Sequence, residues 1–285
     1  VKFVRWALIA GGAILALALG FVGWVYAASE AHLRSFERPL AFEHPISEDS
    51  AAVARGEHLA RTRGCGGCHG ADLAGDVMWG SAVAPNLTAL ARSETPATLE
   101  AALRHAIGHD GRALYSMPSY NFVHLRDQDV ADIIAYLRAA PVVERQLPKA
   151  RLPFMTRFEI ARGNDAAIPA FLDRVPPLRR QEDANESVAR GEYLAMTSCN
   201  ECHGFSLRAD TPWGDAAPDL IVIGSYSAED FTRLMRTGIA PGERELPMMT
   251  PVARGRFVHW TDEEVTDLYA FLSDMSARAI AEEAR

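Results

Sequence analysis

Four cysteines in two identical frames, Cys65-Gly66-Gly67-Cys68-His69 and Cys199-Asn200-Glu201-Cys202-His203, constrain this 285-residue chain more than any other feature. No cysteine is left over, which excludes a disulfide framework of the small secreted kind. Two cysteines three positions apart stand about one helical turn from each other, with a histidine directly behind. That frame suits a haem held by two thioethers, with the imidazole beneath the iron. Zinc also uses cysteine and histidine but needs a fourth donor. Each frame leaves zinc one ligand short, and pooling them joins first cysteines 134 residues apart.

The frames belong to a longer repeat. Val53-Ala54-Arg55-Gly56-Glu57-His58-Leu59-Ala60 returns as Val188-Ala189-Arg190-Gly191-Glu192-Tyr193-Leu194-Ala195. Ala84-Pro85-Asn86-Leu87 returns as Ala217-Pro218-Asp219-Leu220. A shift of 132 carries Arg104, Ile107, Arg112, Leu114 and Met117 onto Arg236, Ile239, Arg244, Leu246 and Met249. Past a three-residue insertion, Phe122-Val123-His124 matches Phe257-Val258-His259. Two copies of about 90 residues make a duplicated domain, not a solenoid.

Haem needs a ligand on the far side of the ring, and zinc does not. Met117 and Met249 stand at corresponding places in the two copies and are the candidates for it. Met248 is a rival to Met249, though the ungapped register favours Met249. His124 and His259 also correspond and are the runners-up, while His105 and His109 have no counterparts. The remaining methionines read as core filler.

Each copy ends in an amphipathic helix. Val130, Ile133, Ile134 and Leu137 fall at i, i+3, i+4 and i+7, as do Val265, Leu268, Tyr269 and Leu272. Thr261 and Glu264 form a capping-box pattern at the second start. Short helices at Arg55–Arg61 and Arg190–Met196 lead into the cysteines, and no segment alternates convincingly as a strand. The fold class is mostly α. The predicted divisions are an anchor over 1–30, haem domains over 51–140 and 187–275, a connector over 141–186 and a tail over 276–285. Six prolines in the connector favour extended chain that wraps the domains, with a loose tether as the competing reading.

From Trp6 to Ala28 there are 23 residues without a charge. As a helix they measure about 35 Å, enough for a hydrocarbon core of about 30 Å. Trp6 lies at one end, with Trp24 and Tyr26 at the other, as interfacial aromatics do. Lys2 and Arg5 suggest a cytoplasmic amino end. A cleaved signal is the alternative, but the apolar run exceeds the usual signal length. The net charge of −8 argues against a nucleic-acid partner.

Each repeat resembles a class I cytochrome c domain. In that family a proline in the Ala-Pro-Asn/Asp-Leu segment offers its carbonyl to the proximal histidine, which implies Pro85 for His69 and Pro218 for His203. The bland reading of both prolines is turn chemistry. The resemblance covers about 51–140 and 187–275, and is closest to the membrane-bound cytochrome subunits of periplasmic alcohol and sugar-acid dehydrogenases. Those subunits often carry three haems, whereas this chain has two attachment motifs. The resemblance implies two covalent haem c groups on Cys65, Cys68, Cys199 and Cys202, in domains on the periplasmic side of a bacterial inner membrane.

With histidine and methionine on both irons no coordination site is open, so the expected function is single-electron transfer and not catalysis. The expected donor is a periplasmic or membrane dehydrogenase or a quinol-oxidising complex; the acceptor is a terminal oxidase or a soluble cytochrome. The alternatives are a di-haem peroxidase, which needs one open iron, and an assembly or anchor subunit of a respiratory complex. Candidate pocket aromatics are Trp79, Tyr120 and Phe122 in the first copy, with Trp213, Phe257 and Trp260 in the second.

Overall fold

The computed structural model describes residues 2–39, 41–78, 82–164, 167–179, 185–211 and 217–285. Trp79 and Trp213 lie outside the described residues.

The chain opens with α1 (Lys2–Leu33), 32 residues holding an 18-residue window of mean hydropathy 2.2, long and apolar enough to cross a membrane. Its side chains are exposed over most of its length and become buried only at Val25, Ser29 and Leu33.

In the first repeat, Asp49 caps α2 (Ser50–Thr62) by accepting from the Ala52 amide at 2.7 Å. Gly64, at φ 79°, then turns the chain into α3 (Cys65–His69). A small antiparallel pair, β1 (Asp76–Val77) and β2 (Val83–Ala84), precedes α4 (Leu87–Ser93) and α5 (Pro96–His105). Asn86 and Thr95 cap these two helices with their side chains. The repeat closes with α6 (Asp127–Ala139), whose Val130, Ile133, Ile134 and Leu137 are buried as the periodicity requires.

The connector departs from the expected extended chain. It holds α7 (Phe154–Ala161) and a 3-10 stretch at Ile168–Arg174. Two of its six prolines stand at the starts of these elements, Pro153 as the N-cap of α7 and Pro169 in the first turn of the 3-10 stretch, while the other four lie in chain without helix. A first-turn proline surrenders no helical hydrogen bond, so the prolines punctuate structure here without preventing it. The connector also wraps the first domain, through Arg145 to Asp72 at 2.7 Å and the Ile168 amide to the Leu114 carbonyl at 2.9 Å.

The second repeat runs α8 (Glu186–Met196), α9 (Asn200–His203), α10 (Ala228–Thr237), β3 (Ile239–Ala240), β4 (Arg244–Glu245), α11 (Met249–Gly255) and α12 (Asp262–Glu283). Thr261 and Glu264 form the capping box. The helix α12 passes straight through the boundary expected at 276, because Met275, Ser276 and Ala279 remain buried and extend its apolar stripe. The only strands among the described residues are the four two-residue ones, too short to show alternation.

In each repeat the first and last helices cross at a glycine. A Cβ on Gly56 would stand 1.9 Å from the Asp132 carbonyl oxygen, and one on Gly191 would stand 1.9 Å from that of Asp267. Beside each crossing an arginine grips the same aspartate with two bonds: Arg55 to Asp132 at 2.7 and 3.1 Å, Arg190 to Asp267 at 2.5 and 3.0 Å.

The two repeats then meet face to face about a pseudo-two-fold axis. A shift of 135 residues carries His58 onto Tyr193 and Asp129 onto Glu264. His58 pairs with Glu264 at 2.9 Å, and the Tyr193 hydroxyl donates to Asp129. The same shift carries Thr62 onto Thr197 and Asn121 onto Arg256. Asn121 donates to the Thr197 carbonyl at 3.4 Å, and Arg256 to the Thr62 carbonyl at 2.8 Å. Residue i on one side meets j on the other, and j meets i, as in an isologous dimer.

Candidate haem-attachment sites

Both attachment frames lie on short helices at this seam. The approach is the same in each: the first helix of the repeat ends at a buried threonine whose hydroxyl bonds back at 2.8 Å to the carbonyl four residues earlier, Thr62 to His58 and Thr197 to Tyr193. The chain then tightens into the cysteine turn.

The histidines are oriented identically. Nδ1–H of His69 donates to the Pro85 carbonyl at 2.8 Å, and Nδ1–H of His203 donates to the Pro218 carbonyl at 2.8 Å. With the proton held on Nδ1, the Nε2 lone pair is left for a metal. Burial holds both imidazoles below their ordinary range, against the upward pull of the proline carbonyls, so the rings stay neutral.

Burial also pushes the Cys65 thiol up to about 11 and the Cys199 thiol up to about 12, with Arg256 opposing both. Among the described residues no group of three or more His, Cys, Asp or Glu side chains is arranged to hold a metal ion. The donors present fit a haem and do not fit zinc.

The methionines divide by burial. Met117 packs on the first core with Cys65, Leu59 and Phe122. Met249 packs on the second with Cys199, Phe257 and Trp260, whereas Met248 is 72% exposed. The competing histidines are engaged elsewhere or turned outward. His124 bonds the Pro176 carbonyl at 2.8 Å, His105 pairs with Glu100 at 3.0 Å and His109 with Glu94 at 3.6 Å. His259 is exposed.

One aromatic residue sits away from its expected place. Tyr120, assigned by sequence to the first pocket, packs edge-on to Phe205 at 5.3 Å and belongs to the core of the second repeat. It follows Ser119, whose hydroxyl is tied to the Ala102 carbonyl at 2.7 Å, and that turn aims the ring across the seam.

Two arginines between the frames escaped the sequence reading. Arg63, only 2% exposed, lies 6.0 Å from the ring centres of both Tyr193 and Trp260. Arg256 reaches Thr62 in front of the first frame and, at 3.2 Å, Glu201 inside the second. Neither has a like residue in the other repeat, so the duplication gave no signal for them; Arg256 aligns with Asn121 and Arg63 falls where the second copy is one residue shorter.

The profile of the cytochrome c family matches residues 53–141 and 188–276. The cytochrome subunit of a fructose dehydrogenase from Gluconobacter japonicus is 26% identical over 268 residues, covering 82% of this chain and 55% of that protein. The cytochrome c subunit of a quinone alcohol dehydrogenase from Gluconobacter oxydans is 25% identical over 275 residues, covering 82% and 57%. A diheme c-type cytochrome from Cereibacter sphaeroides is 27% identical over 223 residues, covering 66% and 74%. The chain thus spans little more than half the length of the two dehydrogenase subunits.

Proposed function

This chain belongs to the cytochrome c family, whose domain it carries twice, and from that premise we propose that it is a membrane-anchored di-haem carrier of single electrons. Cys65, Cys68, Cys199 and Cys202 would hold the two groups through thioethers. His69 and His203 would be the proximal ligands, with Met117 and Met249 distal. The two haem domains are taken as 51–140 and 187–275. When bound, each haem supplies a one-electron ferric/ferrous couple.

The protein's own part is positional and electrostatic. The Pro85 and Pro218 carbonyls hold the Nδ1 protons and fix each ring's orientation. A methionine thioether, from Met117 or Met249, would favour ferrous iron and so raise the potential. Phe122, buried in one core, and Phe257 and Trp260, buried in the other, would keep water from a bound haem and so disfavour the extra charge of the ferric state. The seam brings the two frames to either side of Arg256, so an electron would cross a short protein path from one repeat to the other.

The observation that supports this reading most is the pair of equal histidine-to-proline bonds, made by residues 16 positions apart in one repeat and 15 in the other. For the donor we take a membrane or periplasmic dehydrogenase, on the strength of relatives named as cytochrome subunits of such enzymes. With α1 read as a membrane anchor, we put the domains on the periplasmic side, where haem would be attached to such frames, and take a terminal oxidase or a soluble cytochrome as acceptor.

The test is mass spectrometry of the denatured chain with resonance and carbon monoxide titration of the native one. Two covalent haem masses, low-spin ferric signals and no carbon monoxide adduct are expected. Fewer than two adducts sink the di-haem reading. A high-spin iron that takes carbon monoxide without denaturation points to the peroxidase instead.

A further inference from the structure

The connector helix α7 has a use that electron transfer does not call on. It packs against the last turns of α1, with Phe154 6.4 Å and Phe158 5.7 Å from the Phe21 ring centre, and with Phe154 also 6.4 Å from Tyr26. Arg157 locks the pair together. It lies 5.0 Å over the Tyr26 ring, donates to the Ser29 hydroxyl at 3.0 Å and reaches Glu30 at 3.4 Å. Below this lock, Leu33, Ile160 and Ala167 form a small core against Ala113 of the first domain. Phe154 and Phe158 therefore sit level with Phe21 to Tyr26, where the apolar span of α1 ends.

What remains uncovered on α7 is chiefly Met155, 61% exposed; Phe158 follows at i+3, half-buried against Phe21, and the C-cap Arg162 at i+7 lies over the Phe158 ring at 5.8 Å and pairs with Glu159 at 2.6 Å. Lys149 and Arg151 are exposed just before the helix. Residues 149–162 contain four basic side chains and one acidic, in a chain whose net charge is −8. A basic segment with an exposed apolar side chain, continuous with the aromatic end of a membrane-length helix, matches the interfacial layer of a bilayer and stands out from a chain that is acidic as a whole.

Building on the anchored reading of α1, we propose that α7 is a second membrane element, lying in the interfacial plane and seating on anionic lipid headgroups. Met155 and Phe158 enter the acyl boundary, while Lys149, Arg151 and Arg162 meet the phosphates. One spanning helix alone lets the domains swivel about its axis; two contacts with the bilayer fix their tilt.

The test uses the full haem-loaded chain in nanodiscs containing about a third phosphatidylglycerol, with each label's relaxation read against its own value in the absence of reagent. Met155→Cys adds one free thiol to a protein whose own four cysteines carry thioethers, so a nitroxide attaches there alone. Leu17→Cys in the span and Val258→Cys on the second domain are labelled separately. At Met155, collision with a water-soluble nickel chelate is expected to fall by at least about fivefold relative to the Val258 label, with oxygen accessibility rising, as for a side chain about 5–10 Å into the interface. Adding Arg151→Gln, or removing the anionic lipid, should return part of the nickel accessibility.

A Met155 label as open to nickel as the Val258 label overturns the proposal while the Leu17 label stays in lipid. If the Leu17 label is also in water, the anchored reading falls and takes this one with it. Shielding of Met155 from both reagents places protein there, such as a second copy, and also overturns it.

Discussion

Arg256 meets Glu201 at 3.2 Å, and Glu201 stands between the two cysteines of the second frame while Arg256 also holds the Thr62 carbonyl ahead of the first. One cation is thereby shared by the approaches to both attachment sites. It is only 13% exposed, so water screens it poorly.

On the di-haem reading, removing this charge would stabilise the ferric state at both sites. Arg256→Met is expected to lower both reduction potentials by roughly 20–60 mV, equivalent to about 0.5–1.5 kcal/mol for a one-electron couple. Arg256→Lys, which keeps the charge, should retain most of the potential, and Glu201→Gln should raise it. A spectroelectrochemical titration of the three variants reads all of these shifts.

The helix crossings make a sharper demand. Gly56→Ala or Gly191→Ala must push α6 away from α2, or α12 away from α8, because the new methyl would lie 1.9 Å from a carbonyl oxygen. Overpacking of this kind costs about 1–3 kcal/mol. Gly255→Ala, with nothing within 4 Å of its Cβ position, serves as the control and should melt like the parent. Thermal denaturation followed by circular dichroism compares the three.

Met249 and Met248 are separated by one substitution each. Met249→Leu is expected to turn one of the two haems high-spin and open it to carbon monoxide, with the other unchanged. Met248→Leu should leave both spectra as they are, since that side chain is 72% exposed. The reverse result would move the ligand by one position.

The His58–Glu264 pair makes the seam sensitive to acid. Burial raises the Glu264 carboxyl, but His58 and the Thr261 amide outweigh it and hold the group below its ordinary value of 4.5. A carboxylate depressed in the folded state stabilises fully above its unfolded pKa, and that contribution is lost as pH falls through the folded pKa. Stability to urea should therefore drop below about pH 4.5. Glu264→Gln keeps the capping box but removes the charge, so its stability should vary less over the same range.

Much of this was legible because the chain says it twice. The register that sets Arg104 against Arg236 has a structural counterpart: Arg104 reaches the Leu125 carbonyl at 3.1 Å and Arg236 the Trp260 carbonyl at 2.5 Å. Each of these arginines also pairs with the first aspartate of the terminal helix, Asp127 or Asp262. Period and duplication expose contacts of that kind. They do not expose α7, whose eight residues lie in the unrepeated connector and are too few for a clear helical period. Nor do they expose Arg63 and Arg256, which act across up to 194 residues of chain and lack equivalents in the other copy. The reason for Gly56 and Gly191 was in plain view as a repeated letter, but only the crossing helix explains it.

A two-fold arrangement has no front and no back. Halves that mirror each other at His58 and Tyr193, or at Thr62 and Thr197, offer an electron no preferred direction. Polarity must come from the unlike positions: Arg256 opposite Asn121, a glycine pair in one frame against asparagine and glutamate in the other, and the contact of the helix α1 with Ala113 of the first repeat. Those few departures from symmetry decide which half is upstream.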